Sequence, residues 1–107
     1  MSDFRACEGE TLFCDGHWDW LNYHLEKRTP QGWQQVLTVK VTNGRTHFGS
    51  IDHLYRHKTR PGELILHVNH PDNLDEEFFS SSNDGETWSI LNIHQPPSSE
   101  EYDGEAL

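Results

Sequence analysis

The chain has 107 residues, 33% hydrophobic and 24% charged, and its 18 Asp and Glu against 8 Lys and Arg leave a net charge of −10. That length allows one domain with one modest core, and 4 Trp, 3 Tyr and 5 Phe make the core aromatic-rich, since each large ring can bury about 150–250 Å². The polar, acidic start and the want of an apolar run near the roughly 18 residues of a membrane span predict a cytoplasmic protein without leader or membrane contact.

Cys7 and Cys14 are too few for a disulfide scaffold or a complete zinc site, and a single bridge between them stays open. Alanine occurs only at Ala6 and Ala106, while β-branched and aromatic residues are common, a balance that favours strands. Leu21, Tyr23 and Leu25 alternate with Asn22, His24 and Glu26, as a strand would; a helix through Trp18, Leu21 and Leu25 is the rival. Thr29-Pro30-Gln31-Gly32 reads as a turn. Residues 33–42 alternate with Trp33, Leu37, Val39 and Val41 on one face. They end at Asn43-Gly44, a pair suited to the positive φ of a tight hairpin, with 45–49 as the return strand.

Residues 50–58 predict the one helix. Ser50 can cap it, Asp52 lies in the first turn, Ile51, Leu54 and Tyr55 make an apolar stripe, and Pro61-Gly62 stops it after Lys58. Leu64, Leu66 and Val68 mark a strand over 63–69, and strands at 77–82 and 87–93 make a last hairpin. The segment 95–107, with Pro96-Pro97 and several acids, reads as a flexible acidic tail on a compact domain spanning 1–94. The fold class expected is mainly β (α+β), an antiparallel sheet of about five to six strands with one short helix.

Ser81-Ser82-Asn83-Asp84-Gly85-Glu86-Thr87-Trp88 resembles the Asp-box, the S-x-D-x-G-x-T-W turn of sialidase-type propellers. In that turn a side-chain acceptor takes backbone N–H bonds, Gly adopts positive φ and Trp packs beneath the hairpin. Asn83 stands where the family usually has Asp and keeps the acceptor. The resemblance covers eight residues and implies a hairpin over 78–93. It does not imply glycosidase chemistry, because the motif lies away from the sialidase active site.

Eight histidines invite a metal reading. On a helix His53 and His57 would share a face at i,i+4, and His67 and His70 could approach if the next strand packs alongside. No further ligand completes the set, so the expectation is no metal, no cofactor and no catalytic residue. Cys14-Asp15-Gly16-His17 reads as a loop and Glu76-Glu77 as a solvated pair rather than a glycosidase dyad. Trp18 and Trp20 share a face if extended, either in the core or as a stacking surface.

Charge is the strongest signal. Residues 61–107 hold eleven carboxylates and no Lys or Arg, while residues 1–60 sum to +1. One reading is solubility, with the basic middle neutralised by the acidic end. The other is a contiguous negative face of Asp72, Asp75, Glu76, Glu77, Asp84 and Glu86 near the last hairpin; these residues, with Trp18 and Trp20, are the expected partner-binding set. Such a face repels nucleic acid and anionic membranes and attracts a basic protein surface.

In size and charge the chain resembles toxin-immunity proteins and phage anti-defence proteins, anti-CRISPRs among them. The function expected is therefore non-enzymatic: an acidic nucleic acid mimic that inhibits or masks a basic surface, such as the nucleic-acid groove of a nuclease or defence complex. The alternatives are a ligand- or metal-binding β-domain using the histidines and the Trp18/Trp20 pair, and an assembly subunit docking by a sheet edge, a homodimer included.

Overall fold

The computed structural model describes residues 3–8, 22–40, 50–70 and 75–107. Among these the elements are strands: β1 (Phe4–Glu8), β2 (Asn22–Thr29), β3 (Gly32–Lys40), β4 (Ser50–His57), β5 (Leu64–His70), β6 (Asp75–Ser81), β7 (Ser89–Leu91) and β8 (Tyr102–Ala106). They form two sheets, β1-β2-β3 and β7-β6-β5-β4-β8, with antiparallel neighbours throughout. Asn43-Gly44 and the expected strand at 45–49 lie outside the described residues, as does Cys14.

Both sheets feed one core. Phe4, Leu25 and Val39 come from the smaller sheet, and Ile51, Leu54, Leu64, Leu66, Val68 and Phe79 from the larger. The alternation of Leu64, Leu66 and Val68 sends all three inward, as their period of two requires. Ile65 and His67, on the opposite face of β5, are also buried.

The Thr29-Pro30-Gln31-Gly32 turn joins β2 to β3. Thr29 Oγ1 donates to the Gly32 carbonyl at 2.7 Å and accepts from the Gln31 N–H at 3.2 Å. Farther along, the β2–β3 register passes from Leu25↔Leu37 to Glu26↔Gln35, so Val36 is an extra residue. This bulge breaks the strict alternation expected from Trp33 to Val39. Val39 enters the core and Leu37 packs against it. Trp33 instead lies beneath the guanidinium groups of Arg5 and Arg28, whose Cζ atoms are 4.3 and 5.6 Å from its ring centroid.

The expected helix at 50–58 is corrected to strand β4. Its register pairs Ile51 with Val68 and His53 with His67, leaving Asp52 as a bulge. In a regular strand Ile51 and Leu54, three apart, would face opposite ways. The bulge turns both into the core, at 2% and 0% exposed, so an i,i+3 apolar spacing that mimics a helix arises from an interrupted strand. Residues 95–107, expected as a tail, carry β8, paired with β4 from His53↔Ala106 to His57↔Tyr102. The Leu107 N–H extends the contact by donating to the Asp52 carbonyl at 3.0 Å.

Candidate functional site

The turn at 81–88 organises one end of the molecule. Ser81, 4% exposed, accepts backbone N–H bonds from Asn83 (3.3 Å) and Gly85 (2.9 Å) at its Oγ and donates to Asn83 Oδ1 at 2.9 Å. Asn83 Oδ1 also accepts the Thr87 N–H at 3.0 Å, and its amide donates to Thr87 Oγ1 at 2.7 Å. Asp84 and Gly85 take φ values of 64° and 84°, a conformation that Asp tolerates and Gly adopts freely. Trp88 donates Nε1–H to the Gly85 carbonyl at 2.8 Å and packs edge-on to Phe4.

Other elements converge on this turn. The Asp84 N–H donates to the Gly62 carbonyl at 2.9 Å, and the Asp84 carboxylate faces Lys27 of β2 at 3.4 Å. Next to it a cleft of about 360 Å³ opens between Ser80, Ser89, Leu91, Glu63 and Tyr102. The Tyr102 hydroxyl donates to Glu63 Oε2 at 3.4 Å. Burial first, then the negative charge of Glu63, raises the Tyr102 phenol above its ordinary 10.0.

The expected acidic residues are spread out. Asp75, Glu76 and Glu77 occupy the start of β6, opposite His70, Asn69 and Val68, whereas Asp84 and Glu86 sit in the turn beyond its other end. A seven-residue strand separates such groups by about 20 Å. Glu77 is half-buried, and Asp84 and Glu86 are exposed. Asp72, Trp18 and Trp20 lie outside the described residues.

Ion pairing explains how the basic middle is accommodated. Arg5 meets Glu26 at 2.7 Å and Arg28 meets Asp3 at 3.7 Å within the smaller sheet. In the larger sheet Arg56 meets Glu105 at 3.4 Å, Lys58 meets Asp103 at 3.8 Å and Arg60 meets Glu63 at 2.9 Å. With Lys27–Asp84, six basic side chains have a carboxylate partner. These pairs are mostly at the surface, where each contributes about 0–1 kcal/mol. Their larger consequence is electrostatic, since the positive charge is cancelled locally.

The histidines separate. As strand residues, His53 and His57 are four positions apart along β4, about 13 Å, and do not meet. His57 Nδ1 accepts the N–H groups of Thr59 (3.2 Å) and Arg60 (3.0 Å), which fixes the turn after β4, and its ring lies edge-on to Tyr102. His53 instead faces His67 across the β4–β5 pair, and Asp52 joins them. A hairpin symmetric about Pro61-Gly62 would set 53 opposite 70; the register found, from Arg56↔Leu64 to His53↔His67, is centred on residue 60, so only the folded pairing brings His53 to His67.

Among the described residues no helix is long and apolar enough to cross a membrane. Comparison with protein-family models, with curated proteins and with solved structures finds no match.

Proposed function

We propose that this chain is a non-enzymatic acidic binding protein that inhibits or masks a basic protein surface, such as the nucleic-acid groove of a nuclease or defence complex. The observation that carries the reading is the pairing of six cations, Arg5, Lys27, Arg28, Arg56, Lys58 and Arg60, inside the fold. The six pairs leave twelve of the 18 carboxylates against two cations, and the exposed Glu86, Glu100 and Glu101 belong to that surplus. A field of one sign speeds encounter with a complementary partner and disfavours nucleic acid itself. The immunity or phage anti-defence setting, anti-CRISPR included, suits a small acidic plug of this kind. The 81–88 turn is read as an Asp-box type of folding element, supported by the hydrogen bonds of Ser81, Asn83 and Trp88, and has no glycosidase role in this function.

The test is affinity capture from the host or its phage-infected cells, followed by binding kinetics of the retained partner across a salt series. Attraction between exposed charges is screened over about 8 Å at physiological ionic strength, so affinity should drop steeply as salt rises. Reversing Asp75, Glu76 and Glu77, or Glu86, Glu100 and Glu101, should slow association more than it speeds dissociation. A partner with an acidic or neutral surface, held equally well at high salt, would leave the charge serving solubility alone.

A further inference from the structure

A mixed set of metal-ligating side chains meets at the β4–β5 bulge. One carboxylate oxygen of Asp52 and one ring nitrogen each from His53 and His67 lie within 4.8 Å of one another. The bulge is the cause: an extra residue re-aims its own side chain, and here it adds a carboxylate to a cross-strand histidine pair. The two imidazoles lie 6.3 Å apart at an interplanar angle of 21°. Phe78 stacks on the far side of His67 at 4.9 Å and 19°. His67, 7% exposed, is thus held by the sheet, while Asp52 and His53 lie nearer solvent, which gives an ion a way in.

We propose that Asp52, His53 and His67 form a binding site for a divalent transition-metal ion of the zinc class. Two imidazoles and one carboxylate suit zinc and its first-row neighbours, whereas calcium and magnesium call for oxygen ligands. Metal–ligand bonds of about 2.0–2.2 Å set ligand atoms roughly 3–3.5 Å apart. Contraction of about 1 Å by the more exposed Asp52 and His53 therefore closes the site around an ion. The set carries one negative charge with neutral imidazoles, within a chain whose field already attracts cations. Three protein ligands leave a tetrahedral ion one position for water or an outside ligand. The bound ion would tie β4 to β5 at the bulge. His57, engaged by the 58–60 turn, takes no part. The site is independent of the acidic-surface function.

The experiment titrates zinc into the chelator-stripped, untagged full chain, with competition by a chromophoric chelator and side-chain NMR of the histidines. One equivalent should bind, shifting the His53 and His67 ring signals together, and excess magnesium should not displace it. D52N and H53Q should each weaken binding at least about tenfold, and H57Q should leave it unchanged. The absence of saturable binding would overturn the site. So would shifts confined to other histidines in the wild-type chain, a readout independent of whether any variant folds. Equal weakening in H57Q would likewise reduce the effect to scattered surface imidazoles and refute it.

Discussion

Gly85→Ala tests how the 81–88 turn is seated on the core. Gly85 is buried at φ +84°, and a Cβ there would collide with Phe4 Cζ, lie 2.6 Å from Phe4 Cε1 and 3.3 Å from Leu64 Cδ1. Phe4 cannot easily yield. It is 3% exposed, with Trp88 edge-on to its ring at 6.5 Å and the Arg56 guanidinium 5.6 Å from its centroid. The left-handed backbone costs a non-glycine residue about 1–2 kcal/mol, and overpacking a filled core adds roughly 1–3 kcal/mol. The substitution should therefore destabilise by about 2–5 kcal/mol, a large share of the roughly 5–15 kcal/mol typical of a domain.

Gly32→Ala separates the two costs. Gly32 also has positive φ, +112°, but nothing lies within 4 Å of its added Cβ, so only the backbone part applies. Urea unfolding of both variants sets a purely backbone cost beside the combined one, and the steric part is then isolated by coupling to Phe4, since +112° and +84° are different backbone strains. Phe4→Leu in the Gly85→Ala background should recover some of it, appearing as coupling in a double-mutant cycle. Equal destabilisation of the two glycine variants, with an additive cycle, would refute the packing argument.

Two further outcomes follow from the C-terminal strand. Removing residues 102–107 takes away a ladder of five residue pairs and should cost about 2.5–7.5 kcal/mol, at roughly 0.5–1.5 kcal/mol for each of about five hydrogen bonds. It should also strip hydrogen-exchange protection from the β4 edge, and unchanged protection of residues 53–57 would mean that β8 does not pair there. Tyr102 should give an alkaline signature. Its folded phenol is raised above 10.0, so its contribution to stability is complete below that value. The contribution is lost as pH climbs through the raised one, because the unfolded chain releases the proton first. Urea midpoints should fall less steeply above pH 10 in Tyr102→Phe than in the wild type; parallel slopes would contradict the shift.

Features set by short-range physics are legible in the residues alone. Alternation at Leu64, Leu66 and Val68 placed β5, Thr29–Gly32 placed the β2–β3 turn, and Ser81 to Trp88 carried a turn whose hydrogen bonds close within eight residues. The basic middle and acidic end were legible as charge, and the described ion pairs of Lys27, Arg56, Lys58 and Arg60 join those two regions. Tertiary structure decided whatever depends on a strand's neighbour. The bulges at Val36 and Asp52 appear only once a partner strand fixes the register. The second of them made Ile51 and Leu54 resemble a helical stripe. β8 has a weak local signal and becomes a strand because β4 offers unpaired backbone groups along its edge. The meeting of Asp52, His53 and His67 has the same origin: side chains fourteen positions apart come together through backbone pairing, which their own residue types do not encode.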